Sequence, residues 1–233
     1  ALYRGINARA ELEKLLPLVK EQKPDLVLIT GDLAEDASEA AYRYLKGQVE
    51  DLGVLVLTIP GNHDDARVQK SVFDDTATDD ILVREAGGWR LILLNTAVAG
   101  KIGGDLSPAV LSGLESQTRK SGKPCLVFMH HQPVEVGSPW IDRYALEDAD
   151  AFWGRLGNDG AVRAVLWGHV HQVFCSERDG VKLYGSPSTA VNSVPGQQRF
   201  TPDGNGPACR LLLLRENGTF ETEILATRDQ AGA

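Results

Sequence analysis

Four short apolar runs constrain this chain more than any other feature. They are Asp25–Thr30, Val54–Ile59, Cys125–Met129 and Ala161–Trp167, and each is cut off by a glycine, a proline or a histidine. Runs this short, without polar alternation, read as strands buried on both faces, the signature of parallel sheets. Parallel neighbours need crossovers, and the intervening sequence has helical spacing. Leu12, Leu15, Leu16 and Val19 predict a helix over 8–21, with Pro17 as an irregularity. Further helices are expected over 37–50, 107–119 and 145–156. A strand is expected over Arg90–Leu94, after Gly87-Gly88.

Beyond about residue 171 the pattern changes to hairpin-like strands near 173–176, 181–184, 209–214 and 219–225. Residues 186–207 are rich in Gly, Pro, Ser and Asn and show no period. A loop that long inside a compact unit is usually functional or mobile. With 233 residues, one domain over 1–233 is the natural expectation. Alternating elements followed by a β-rich end give an α/β sandwich with mixed sheets.

All five histidines fall in three clusters, each placed where an apolar run ends. His63 lies in Gly61-Asn62-His63-Asp64, His130 and His131 follow Met129, and His169 and His171 lie in Gly168-His169-Val170-His171. Gly31-Asp32 closes the first run. In open α/β sheets ligands bind beyond the carboxyl ends of the strands. Asp32, Asn62, His130 and His169 are therefore expected along one edge. Carboxylate, amide and imidazole donors suit Mn, Fe, Zn or Co and not a thiolate-selective site. A pair of such ions clamps an in-line phosphoryl displacement.

The formal net charge of −8 argues against a broad basic surface for nucleic acid. It is compatible with a small phosphorylated substrate, because bound cations invert the local field. Cys125, Cys175 and Cys209 match no zinc or redox spacing, and thiols outside disulfides point to a reducing compartment. No apolar run approaches a membrane span and no signal-peptide core is present. The expected location is the cytoplasm.

Gly31-Asp32, Gly61-Asn62-His63-Asp64, His130 and Gly168-His169-Val170-His171 together resemble the ordered motifs of the calcineurin-like metallophosphoesterases. Within that superfamily the chain most resembles the bacterial class III phosphodiesterases, the 3',5'-cyclic-AMP group. Tyr3–Asn7, Ser138–Asp142, Trp167–Gln172 and Gly185–Thr189 add to that likeness. The resemblance implies a four-layer αββα sandwich of two mixed β-sheets flanked by helices. It also implies a dinuclear divalent metal centre (Fe, Mn, Zn or Co), with Asp32 bridging, Asn62, His130 and His169 on the second ion, and His171 on the first. Metal-bound hydroxide would attack phosphorus, while His63 stabilises or protonates the departing oxygen and Asp64 orients the His63 ring. Substrate contacts are expected from Asn62, His63, His131 and Arg199. His131 is also read as a support behind the ligands, and Phe200 as a neighbour of the base. The resemblance leaves oligomeric state open, homodimers being frequent among related enzymes.

One element of the family pattern is missing. The family opens with a strand carrying Asp-x-His, and no Asp-x-His occurs here. The simplest expectation is an N-terminally truncated chain, with about thirty residues of the pattern absent. It would lack the usual first strand and leave the first metal site with Asp32 and His171 alone. The alternatives are a natural single-metal variant, a phosphodiesterase or phosphatase for another substrate (a glycerophosphodiester, a nucleotide pyrophosphate, a phosphomonoester), and a scaffold that binds without cleaving.

Overall fold

The structure, a computed structural model, describes residues 5–78, 81–119, 122–156 and 160–227; Tyr3 and Arg4 lie outside the described residues. The elements run α1 (Ala8–Glu21), β1 (Leu26–Ile29), α2 (Glu39–Glu50), β2 (Leu55–Thr58), α3 (Ala66–Val72), β3 (Ile81–Ala86) and β4 (Trp89–Leu94). They continue with α4 (Pro108–Arg119), β5 (Cys125–Met129), α5 (Pro139–Asp142), α6 (Ala149–Leu156), β6 (Val162–Trp167), β7 (Phe174–Arg178), β8 (Val181–Gly185), β9 (Ala208–Leu214) and β10 (Phe220–Ala226). No helix of the described residues is long and apolar enough to cross a membrane.

A six-stranded mixed sheet of order β3-β4-β5-β6-β8-β7 forms the centre. The β4, β5, β6 and β8 pairings are parallel, and the two edge pairings are antiparallel. Side chains of successive residues point to opposite faces, and β4 sorts accordingly. Leu91 and Leu93 enter one core while Ile92 and Leu94 enter another. The second core holds α4 and α6 against the sheet through Val110, Leu114, Phe152 and Leu156. The first core faces the other way, toward Leu26, Leu28 and Leu57 of β1 and β2 and Leu212, Leu214 and Phe220 of β9 and β10. Beyond β1 and β2 a third core joins Ile29 and Val56 to Tyr42, Leu45 and Val49 of α2 and Val72 of α3. These are the four layers of the expected αββα sandwich.

The second β layer is not one continuous sheet. Parallel β1-β2 and antiparallel β9-β10 are separate two-stranded sheets. A cavity of about 670 Å³ opens between α1 and the chain leading into β9, lined among others by Leu18, Val191, Pro207 and Thr227.

Three elements were not anticipated: α3, β3 and α5. The β3-β4 hairpin turns on Gly87 and Gly88, with φ of 55° and 83° between the paired Ala86 and Trp89. Two left-handed residues are what a two-residue type I′ turn demands. The helix expected over 145–156 begins at Ala149. Ahead of it, the Leu146 N–H donates to the Gln132 carbonyl and the Glu147 N–H to that of Gly104, so that backbone is already committed. The 186–207 stretch is irregular, as expected, but it is pinned by side chains.

Candidate metal centre

The carboxyl ends of β1, β2, β5 and β6 lead into the loops that carry Asp32, Asn62, His130 and His169. Their polar atoms converge on His130 Nε2. That atom lies 3.2 Å from Asn62 Oδ1, 3.1 Å from His169 Nδ1 and 3.4 Å from Asp32 Oδ2. His130 Nδ1–H donates to the Thr30 carbonyl at 2.7 Å, which leaves the lone pair on Nε2 facing the other three donors. Such a backbone contact fixes both tautomer and ring orientation in ligating histidines.

An unprotonated imidazole nitrogen facing three other acceptors is repulsive unless a cation or a proton lies among them. The three distances from His130 Nε2 are those between neighbouring ligands of a cation. With metal–ligand bonds of about 2.1 Å, neighbouring ligands sit about 3.0 Å apart in an octahedron and about 3.4 Å apart in a tetrahedron. The electrostatics favour positive charge at this spot, which a proton on His130 can supply as well as a cation. Burial disfavours ionised Asp32, yet the charge and hydrogen bond of His130 outweigh it and hold the carboxyl well below its usual range. Burial likewise opposes charge on His130, and Asp32 raises its pKa against that. Burial, with His130 beside it, keeps His169 neutral. The Asp32 side chain retains 21% exposure, so the cluster opens to solvent.

The backbone is bent to achieve this. Asp32, His169 and His171 have φ of 56°, 58° and 52°, a region that costs non-glycine residues about 1–3 kcal/mol each and concentrates at functional sites. Gly31, at φ 98°, faces a further constraint, since a Cβ there would lie 2.2 Å from His130 Nδ1.

The Gly-Asp and Gly-Asn-His-Asp loops are locked together by Asp64. Its carboxylate accepts from the N–H groups of Leu33 (3.2 Å), Ala34 (3.1 Å) and Gly61 (2.8 Å) and from the Tyr42 hydroxyl (3.0 Å). The same hydroxyl accepts from the Asp65 N–H at 2.9 Å. The His63 N–H donates to Asp32 Oδ1 at 3.1 Å. Asp64, expected to orient the His63 ring, directs both its oxygens to the loop backbone and Tyr42. The carboxylate against His63 Nδ1 is that of Glu35, at 3.3 Å. Sequence reading missed Glu35 and Tyr42, although Glu35 stands three residues after Asp32 and so on the same loop.

His131 also departs from expectation. One ring nitrogen of each of His130, His131 and His169 falls within a 4.8 Å cluster. Both His131 nitrogens are nevertheless used elsewhere, Nδ1 by Thr96 Oγ1 at 2.8 Å and Nε2 by the Ile102 carbonyl at 3.0 Å. Burial, aided by His130, lowers its pKa to about 3. The imidazole is fully buried with both nitrogens hydrogen-bonded, so it presents no polar atom to the opening of the cluster. It instead braces the neighbouring rings, 4.7 Å from His130 and 4.6 Å from His169 between centroids.

His171 is not a member of that three-histidine group, although its charge acts on His169. The His171 Nδ1–H faces the Val191 carbonyl at 2.9 Å, which leaves the ring's lone pair on Nε2. Arg199 is exposed on the 186–207 stretch, and its neighbour Phe200 is the residue that reaches His171, with ring centroids 6.0 Å apart.

Comparison with known proteins agrees with this fold. The calcineurin-like phosphoesterase profile matches residues 6–173. The chain is 33% identical over 230 residues to the 3',5'-cyclic adenosine monophosphate phosphodiesterase CpdA of Pseudomonas aeruginosa, covering 97% of this chain and 84% of that one. It is 32% identical over 224 residues to a 3',5'-cyclic-nucleotide phosphodiesterase of Nostoc sp., covering 95% and 84%. Among solved structures it resembles a dimetal phosphatase from Danio rerio, with TM-score 0.68 and 15% identity over 94% of this chain and 88% of that one, a likeness of fold.

Proposed function

Because the chain belongs to the calcineurin-like phosphoesterase family, we propose that it hydrolyses 3',5'-cyclic AMP to 5'-AMP at the ends of β1, β2, β5 and β6. The observation that carries this reading is the convergence of Asp32, Asn62 and His169 on His130 Nε2 within 3.1–3.4 Å. Two relatives named for this chemistry, each aligned over nearly the whole chain, support the choice of substrate.

Asp32, Asn62, His130 and His169 would hold one divalent ion, and Asp32 with His171 would contribute to a second. The second position has two donors in this sequence, which contains no Asp-x-His. When bound, such ions polarise phosphoryl oxygens and lower the pKa of water. Iron, manganese, zinc and cobalt all suit the donors.

The side chains of this chain do the rest. Asn62, in contact with His130, and His63 are consecutive in the loop after β2, so both would be near a phosphate at the cluster. His63 is one-third exposed, and Glu35 at its Nδ1 turns Nε2 toward solvent. There it delivers a proton to the departing 3′ oxygen as water adds to phosphorus. The Asp64 keystone sets the spacing of Asp32 and Asn62, and His131 holds the neighbouring rings. Cys125, Cys175 and Cys209 all remain thiols outside disulfides, which supports a reducing, cytoplasmic setting.

The test is turnover with added Mn²⁺ on cyclic AMP, glycerophosphocholine, ADP-ribose and nitrophenyl phosphate, for the wild type and His63→Ala. Cyclic AMP should be the preferred substrate. His63→Ala should lose about 10²–10⁴ in rate while still binding Mn²⁺. Preference for another ester overturns the substrate assignment, and full activity in His63→Ala overturns the proton-transfer role.

A further inference from the structure

We infer that Phe200, backed by Trp140, is the platform that receives the flat base of the nucleotide, an inference that rests on the phosphodiesterase reading and names what fixes its substrate. Phe200 belongs to none of the three hydrophobic cores of the described residues. It stays partly exposed at the end of an exposed run, Pro195–Arg199. Its ring stands 6.0 Å from that of His171 at 86° and 5.1 Å from that of Trp140 at 86°. Trp140 in turn packs against the α4–α6 core, so the pair rests on a rigid base. A nucleotide carries its base one sugar away from its phosphate. Phe200 is one ring contact away from a proposed metal-binding histidine, the position such a base would occupy.

The segment holding Phe200 is anchored and not merely draped. Its two ends are joined by the Val194 N–H donating to the Thr201 carbonyl at 2.8 Å and by a bridge between Ser193 and Pro202. The Gly196 N–H donates to Ser138 Oγ at 2.9 Å, Ser138 Oγ–H to Gln172 Oε1 at 3.0 Å, and Gln172 Nε2 to Ser193 Oγ at 2.8 Å. Ser138, Gln172 and Ser193 are all buried, and buried polar networks that satisfy one another rigidify what they connect. The Ser193 N–H also donates to the His171 carbonyl at 2.9 Å. The aromatic platform and the histidine it flanks are thus held by one network. Its placement ahead of ligand arrival is what limits the ordering cost of binding.

Base–aromatic stacking is worth about five-fold in affinity per base at the low end of measured values. The test is calorimetric binding of adenosine 5'-monophosphate and ribose 5-phosphate, in the presence of Mn²⁺, to wild type, Phe200→Leu and Phe200→Tyr. The wild type should prefer the adenosine ligand by about five-fold or more. Phe200→Leu should abolish that preference while binding ribose 5-phosphate as before, and Phe200→Tyr should restore it. No preference in the wild type, or preference retained in Phe200→Leu, overturns the platform. Loss of both ligands by Phe200→Leu also overturns it, by assigning Phe200 to support of His171. The outcome is independent of turnover. Base preference without cyclic AMP hydrolysis refutes the phosphodiesterase reading alone, and hydrolysis without base preference refutes the platform alone.

Discussion

Gly61→Ala should damage the metal centre more than the fold. A Cβ at Gly61 would lie 2.1 Å from Asp32 Oδ1 and 2.4 Å from the Asp32 backbone nitrogen. A carbon–oxygen contact needs about 3.3 Å, so Asp32 must retreat by about 1 Å. The carboxylate cannot simply rotate away, because the main chain of the same residue is also struck. Metal sites tolerate errors of about 0.2 Å in ligand position. Losing the support behind a ligand costs about 10–100-fold in metal affinity, and displacing the ligand itself should reach at least the upper end of that range. Overpacking of this kind costs about 1–3 kcal/mol, which lowers Tm by about 2–12 °C in a domain of this size. Calorimetric titration with Mn²⁺ alongside thermal unfolding separates the two effects. A Gly61→Ala protein with wild-type Mn²⁺ affinity would refute the argument that the β2 loop backbone presses on a metal-binding Asp32.

Gly47 is the internal control, lying in α2 with nothing within 4 Å of the methyl that alanine would add. Gly47→Ala should therefore stabilise the fold by about 0.5–1 kcal/mol in chemical denaturation and leave Mn²⁺ affinity unchanged. Tyr42→Phe removes a buried hydroxyl that serves both Asp64 and the Asp65 N–H. Denaturation should show a loss of about 1–3 kcal/mol, and Mn²⁺ titration a weaker site, because the two ligand loops lose a shared anchor. Finally, Mn²⁺ at about a hundred times its dissociation constant should add about 2.7 kcal/mol to unfolding, visible as a rise in Tm that a chelator reverses. Asp32→Ala should lose that rise altogether.

The central strands were readable because burial on both faces leaves them almost no polar residues. β5 is buried at every position and β6 at all but Arg163, so the histidines that follow stand out as breaks. The β3-β4 hairpin was readable too, in Gly87-Gly88 flanked by apolar runs, but only its second strand was recognised. What sequence does not expose is partnership across long separations. Asp64 is next to His63 in the chain, and adjacency suggested that one serves the other. Its true partners lie 22 to 31 residues upstream for all but Gly61. Tyr42 looks like an ordinary apolar residue on the buried face of α2, and only the packing of α2 on the ligand loops gives its hydroxyl a task. His131 shows the same limit. Next to His130 it reads as a second functional imidazole, yet Thr96 and Ile102 claim both its nitrogens.

The most direct test of the account is the fate of cyclic AMP incubated with this chain and Mn²⁺, followed by chromatography of the products, with His130→Ala beside it. The account predicts Mn²⁺-dependent release of 5'-AMP by the wild type and loss of both Mn²⁺ binding and release in His130→Ala. Intact cyclic AMP with the wild type, or equal release with and without His130, would contradict it.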